Sequence, residues 1–360
     1  MTRIYLVRHA EAEGNLYRRA QGQYDSLITP RGDRQIESLR RRFEQTAIDA
    51  VYSSDLYRAV KTASAVSEPK GLPLHRDPRL REVRMGVWED LSWGEIEWLW
   101  PEELEAFSND PLRWRAEGSE HFLNLRRRLT DAIGDIAARN EGKTVAVFSH
   151  GCAIRAYLSG LVNGQEGGIV NVPHGDNTNV SLIEYTDGVP KLVFHGDNSH
   201  LDAELSTFAG QKWWREQTAL DSSNMRFSSE MEDMANFLRY RLRAVPDAEL
   251  KFGADRDPEL SVTAYARETP AGCVELSPGG EITAIYIEER FRGTGMAVQL
   301  IGEAVSRMRL RGAGRLFARI PCDNARALGF FEKYGFKSKG VSGDRVTLTR
   351  DIAVPERQDA

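Results

Sequence analysis

Two histidines and two arginines at the ends of apolar runs are the residues of this chain best suited to chemistry. Ile4-Tyr5-Leu6-Val7 leads directly into Arg8-His9-Ala10-Glu11, and Val145-Ala146-Val147-Phe148 leads into Ser149-His150-Gly151. Runs of this length match buried strands and are too short for helices. Ligands of open α/β sheets collect beyond the carboxyl ends of parallel strands. An arginine beside an imidazole at such a place suits a phosphate, because the guanidinium holds the anion and a ring nitrogen can attack phosphorus. A lone Arg-His pair is usually just solvated, so the weight comes from agreement between sites. A third site is Val51-Tyr52-Ser53-Ser54-Asp55, where a strand ends and a helix begins with Arg58 in its first turn. Behind His150, Cys152 to Leu158 reads as a helix whose leading amides and positive end face the same spot. Residue types alone allow either histidine to be the nucleophile.

Four ordered segments resemble the motifs of the histidine phosphatase superfamily, which includes cofactor-dependent phosphoglycerate mutases. They are Leu6-Val7-Arg8-His9-Ala10-Glu11, Ser53-Ser54-Asp55-Leu56-Tyr57-Arg58-Ala59 with Thr62-Ala63, Leu80-Arg81-Glu82, and Ser149-His150-Gly151. The resemblance implies a three-layer α/β/α domain over residues 1–207. It also implies that His9 becomes phosphohistidine, that Arg8 and Arg58 hold the phosphate oxygens, and that His150 and Gly151 add donors. Asn15, in the following polar loop, is expected to donate as well. Glu82 is the candidate to protonate the leaving alkoxide and then to deprotonate the attacking water. Arg8 and Arg58 should lower the pKa of His9, since neighbouring cations disfavour imidazolium. No metal or other cofactor is required, and no His, Cys, Asp or Glu cluster has metal-ligand spacing.

The elements that must position these groups follow from the remaining pattern. Thr29 reads as an N-cap with Pro30 at the first helical position, and the helix runs through Gln35, Ile36, Leu39 and Phe43. Its arginines, Arg40 to Arg42, read as a solvated face. After Glu82 comes Gly86-Val87-Trp88-Glu89, a Gly-x-Trp-Glu turn that also matches the family. Five of the seven tryptophans lie between Trp88 and Trp114. They are expected to pack a small cap, the alternative being that one or two line the pocket mouth. Gly118-Ser119-Glu120, where relatives usually have Gly-Glu-Ser, opens a helix with Leu125, Leu129, Ile133 and Ile136. The segments 177–185 and 191–195 read as two strands at the sheet edge, and His200 as a structural hydrogen-bonder. The Glu82–His150 segment is short and rich in Trp and acids, which favours hydrolysis of a small phosphorylated metabolite over mutase action.

Past a boundary expected near residues 207/208, polar residues lead through Trp213-Trp214-Arg215 to turn chemistry at Asp221 to Asn224. A helical pattern follows with Met231, Met234, Phe237, Leu238 and Leu242. Strand-like segments cover 260–265, 272–276 and 281–287, and a helix with Leu300, Ile301, Ala304 and Met308 comes after. Between the last strand and that helix, Arg292-Gly293-Thr294-Gly295-Met296-Ala297 is a Gly-rich turn that can present amides to an anion. Arg292-x-x-Gly295-x-Ala297 and Asn324-Ala325-Arg326-Ala327 with Tyr334-Gly335-Phe336 resemble GCN5-related N-acetyltransferases (GNAT). The resemblance implies an α+β domain over residues 208–360 that binds acetyl-CoA through residues 292–297 and Asn324. The family's usual general-acid tyrosine falls at Phe331, which has no proton to give. Acetyl transfer, transfer through another acid, and acyl-CoA binding alone all stay open.

The 360 residues suit two domains, and a net charge of −5 gives no basic footprint for nucleic acid. No apolar run approaches the roughly 20 residues of a membrane helix. Cys152, Cys273 and Cys322 are odd in number and widely spaced, which fits a reducing cytoplasm rather than a disulfide framework. The N-terminus enters a core strand directly, so no signal peptide is expected. The residues leave the phosphoester, the acetyl acceptor, the oligomeric state and the coupling of the two domains undetermined.

Overall fold

The computed structural model describes residues 1–164, 172–209, 223–229 and 257–357. Trp213-Trp214-Arg215, Asp221, Ser222 and the helical pattern of Met231 to Leu242 lie outside the described residues.

The first half is a six-stranded sheet of β1 (Thr2–Arg8), β2 (Ala50–Ser53), β3 (Leu74–Arg76), β4 (Thr144–Ser149), β5 (Val180–Thr186) and β6 (Val189–Asp197), in spatial order β3-β2-β4-β1-β5-β6. β1, β2, β3 and β4 run parallel, while β5 pairs antiparallel with β1. Of the two strands expected at the edge only β6 lies there; β5 lies inside the sheet, between β1 and β6. Ser181, directly opposite Leu6, is wholly buried there. Period-two alternation splits β1 between two cores. Ile4 and Leu6 join Leu125, Leu129 and Ile133 of α6 (Phe122–Arg139) on one face. Val7 joins Leu39 and Phe43 of α2 (Pro30–Phe43) and Val66 of α3 (Tyr57–Ser67) on the other. Thr29 caps α2 as expected, its side chain accepting from Gly32 N at 3.0 Å.

The tryptophan-rich insertion, with α4 (Trp93–Leu99) and α5 (Pro101–Asn109), packs on itself. Trp88, Trp114, Phe107 and Phe122 meet at ring-centroid distances of 5.1–5.9 Å, and Trp88 and Trp114 are buried. These rings form the cap's core.

In the second half, β7 (Met225–Ser228), β8 (Ser261–Ala266), β9 (Thr269–Leu276) and β10 (Ile282–Ile287) form an antiparallel sheet. β11 (Arg315–Pro321), β12 (Lys337–Ser342) and β13 (Arg345–Asp351) form another, in order β11-β13-β12. The two sheets touch through a parallel bridge between Glu281 and Phe317, and no ladder continues beyond it. The helix after β10, α8 (Ala297–Leu310), buries Leu300, Ile301, Ala304 and Met308 in the core of this half. A shorter helix, α9 (Ala325–Lys333), follows β11.

The two halves share one five-residue helix, α1 (Glu13–Tyr17). Tyr17 belongs to the apolar core of the second half, with Leu16 packed against it. Glu13 is buried and bonds Arg350 and Arg309, each at 2.7 Å. Buried Arg19 bonds Glu303 at 2.7 Å and Asp90 at 2.9 Å. Buried charges are costly unless paired or hydrogen-bonded, and here they are paired. α8 approaches α1 so closely that a Cβ at Gly302 would lie 2.4 Å from Tyr17 Cβ. Gly302→Ala is therefore expected to force α1 off α8 and to cost about 1–3 kcal/mol, as overpacked cores do. Urea denaturation of both proteins checks this, and an unchanged midpoint would refute the close packing.

Candidate active site

Strand register builds the site. β1 and β4 pair with Arg8 opposite Ser149, and β2 and β4 pair with Ser53 opposite Phe148. Three parallel strands therefore end together, and His9, His150 and Ser54 emerge from adjacent carboxyl ends. The His9 and His150 ring centroids are 5.2 Å apart.

Each ring's tautomer follows from its partner. His9 Nδ1 is 2.7 Å from Ala10 O, a group that only accepts, so Nδ1 carries the proton and Nε2 keeps its lone pair. Burial, Arg58 and Arg8 push the His9 pKa well below its ordinary value. His150 Nε2 is 2.8 Å from Ser54 Oγ. With that hydroxyl donating, Nδ1–H remains, and Nδ1 is buried without a protein partner. Burial and Arg58 likewise hold His150 neutral.

The two arginines are held by backbone oxygens rather than by acids. Arg58 is fully buried; it donates to Tyr24 O at 2.9 Å and to Gly22 O at 2.7 Å. Arg8 donates to Gly175 O at 2.6 Å, and the Phe208 ring covers its guanidinium at 5.6 Å. The Nε of each is buried and has no partner among the described residues. The loop that grips Arg58 is itself fixed, since Glu89 accepts from Gln23 N, Tyr24 N and Met85 N. This gives the Gly-x-Trp-Glu turn its purpose. Gly86 has φ of +60°, and a Cβ there would lie 1.9 Å from Glu117 O. Asn15 Oδ1 accepts from Ala12 N at 3.1 Å, which leaves its amide nitrogen to donate. A Cβ at Gly151 would press within 3.3 Å of Arg8 Nε.

Glu82 forms no ion pair with Arg81, which binds Asp55 instead. Its carboxylate accepts from Val83 N, Cys152 N and Ala153 N at 2.8–3.0 Å. It thereby caps α7 (Gly151–Asn163). Those two leading amides of α7 were expected to face the phosphate, and the structure gives them to Glu82.

Further groups support the site, and of these Asn177 and Phe208 had no motif to reveal them. Thr62 Oγ1 accepts from Ala10 N, and Asn177 Nδ2 donates to His9 O at 2.9 Å. Phe208 lies one residue past the expected boundary, yet packs on Arg8. His200, left out of the site, bonds Thr178 at 3.1 Å.

In the second half, residues 293–295 of the Gly-rich turn are exposed, with φ of +77° at Gly293 and +83° at Gly295, a region glycine adopts freely. Arg292 donates to Ile287 O and Thr294 to Phe291 O. Met296 opens α8 with no side-chain cap, and Ala297 is its first residue, so leading amides face outward. Asn324 caps α9, accepting from Ala327 N at 3.0 Å. Phe331 is buried against Phe336 and Phe330. The phenol of Tyr334 lies within electrostatic reach of Arg31 and Glu11 of the first half. Among the described residues no group of three or more His, Cys, Asp or Glu could hold a metal ion, and no helix is long and apolar enough to cross a membrane.

Comparison with known proteins agrees with this geometry. Residues 4–198 match the histidine phosphatase superfamily (branch 1), and residues 221–336 match the acetyltransferase (GNAT) family. Phosphoserine phosphatase 1 of Hydrogenobacter thermophilus is 30% identical over 45% of this chain and 77% of its own length. A probable phosphoglycerate mutase of Escherichia fergusonii is 32% identical over 56% of this chain and 96% of its own. Among solved structures, Bacillus stearothermophilus YhfR superposes with a TM-score of 0.54 at 31% identity, over 56% of this chain and all of that one. The chain thus belongs to the histidine phosphatase superfamily and carries a GNAT acetyltransferase domain behind its phosphatase domain.

Proposed function

We propose that the first domain hydrolyses a small phosphomonoester without metal through a phosphohistidine at His9. The observation that carries this reading is the lone pair on His9 Nε2, fixed by the Nδ1 bond to Ala10 O between the buried Arg58 and the half-buried Arg8. Nε2 attacks phosphorus and the ester P–O bond breaks. Arg8, Arg58, Asn15 and the His150 Nδ1–H hold the equatorial oxygens, whose charge is the main thing to stabilise. Protonated Glu82 gives its proton to the leaving alkoxide. The carboxylate then takes a proton from water as the oxygen attacks phosphorus, the P–N bond breaks, and neutral His9 is restored.

Relatives carry both phosphatase and mutase names. Hydrolysis is favoured here because the cap fills its interior with its own aromatic rings. The three free cysteines support a cytoplasmic setting.

GNAT domains use acetyl-CoA. In this chain the amides of residues 293–297 with Arg292 and Asn324 are proposed to take the pyrophosphate end. The extended arm of the cofactor would lie where β10 and β11 diverge, whose edges offer unpaired backbone groups. Buried Phe331 supplies no proton, so acyl-CoA binding is the firmer part of this assignment. Calorimetric titration with acetyl-CoA should show saturable binding, and heat no larger than dilution would refute it.

Release of inorganic phosphate from a panel including O-phosphoserine and 3-phosphoglycerate should vanish in His9→Ala without added metal. Equal release from both proteins would overturn the phosphohistidine reading. The acid limb of kcat/KM should lie below pH 6.5, because the lowered His9 pKa keeps the ring unprotonated there. Arg58→Gln removes one of the cations that lowers it, so that limb should move up toward 6.5. A pH–rate series on the residual activity reads the shift, and an unmoved limb would sink this account of His9.

A further inference from the structure

The segment carrying Glu82 has no regular structure of its own. It follows β3 through a short turn at Pro78–Leu80 and continues irregularly to the Gly86 turn. Backbone oxygens in such a segment must find partners elsewhere. Three of them find the same one. Arg128, on α6, donates from Nη1 to Arg79 O at 2.7 Å and to Arg81 O at 2.6 Å, and from Nη2 to Glu82 O at 2.8 Å. Its remaining donors go to Glu120, Nε to Oε1 and Nη2 to Oε2, both at 2.7 Å. Every nitrogen of the guanidinium is engaged, and both side chains are largely buried.

Glu120 holds the same segment from further along, since its backbone N donates to Arg84 O at 2.8 Å. This corner also contains Arg79 and Arg81, which suggests an anion site. Those two are already paired, Arg79 with Asp77 and Asp135, and Arg81 with Asp55. The corner is therefore a clamp, and its jaw closes on the residue that bears the carboxyl group.

We propose that Arg128 is a positioning residue for phosphoryl transfer: locked by Glu120, its guanidinium grips the carbonyls of Arg79, Arg81 and Glu82 and so sets where the Glu82 carboxyl stands relative to His9. This rests on the proton-transfer role given to Glu82 above. The carboxyl has its own bonds to α7, so the segment is fixed from two sides, by α7 through the side chain and by α6 through the backbone. Lysine is no substitute at position 128, because a compact ammonium cannot reach three diverging carbonyls and a carboxylate together. Misplacement of a reacting group by about 1 Å costs on the order of a hundredfold in rate.

The test uses two leaving groups. p-Nitrophenolate departs without a proton, whereas an alkoxide needs one. Full-length wild type, Glu82→Gln, Arg128→Lys and Glu120→Gln are compared by kcat/KM on p-nitrophenyl phosphate and on O-phosphoserine, or on whichever alkyl phosphate of the panel turns over fastest. Arg128→Lys should lose about a hundredfold on the alkyl ester and far less on the aryl ester, following the pattern of Glu82→Gln. Glu120→Gln, which frees the guanidinium but keeps its carbonyl contacts, should show the same split more weakly and stands in if Arg128→Lys does not fold. In the double variant, the loss from Arg128→Lys should not add to that from Glu82→Gln. Equal losses on both esters in the Arg128 and Glu120 variants, with the split intact in Glu82→Gln, would overturn the positioning role alone. No split in Glu82→Gln would overturn the role of Glu82 and this proposal with it.

Discussion

The site depends on two guanidiniums, Arg58 buried and Arg8 half-buried, whose hydrogen bonds go to carbonyl oxygens. Arg58 has no exposed surface and its hydrogen bonds go to carbonyl oxygens, while Arg8 is held by Gly175 O and the face of Phe208. A carboxylate partner would hold such a charge more firmly, but it would also neutralise the field that a dianion must meet. Carbonyl dipoles hold the cations without cancelling them. Burial and the same field keep His9 and His150 unprotonated, so the proposed nucleophile and the proposed anion site share one arrangement. The loop at residues 21–25 exists to supply those carbonyls, and Glu89 exists to keep that loop in place.

Four supporting groups share one property: they bind backbone atoms. Glu89 binds amides, Thr62 and Asn177 bind the two edges of the peptide unit that joins His9 to Ala10, and Glu82 takes three amides. Main-chain partners leave no mark on the identity of the residue being held. For Asn177 this is why no motif announced its part in the site.

The strand ends, the capped helix at Thr29 and the four motifs were legible because apolar runs and turn residues act locally. The inward position of β5 was not, because its neighbour across the sheet is far away in sequence. The destination of the leading amides of α7 also depended on a distant residue, Glu82. Phe208 escaped for a similar reason: a single aromatic in a polar stretch carries no period, and only the fold brings it to Arg8. The second domain's strands were readable from alternation, whereas its attachment to α1 was not. Glu13, Leu16 and Tyr17 resemble an ordinary amphipathic turn until Arg309, Arg350 and Gly302 come into contact with them.

That shared helix has a historical consequence. With Tyr17 seated in the neighbouring core and Glu13 clasped by two foreign arginines, the ancestral surface of the phosphatase is no longer a surface. A descendant that shed the second domain would expose an aromatic ring and an unpaired acid beside its own phosphate loop. Several substitutions would be needed before it became soluble and competent again. Fusion of this kind works as a ratchet, in which gene architecture becomes locked by side-chain packing and the two domains descend together.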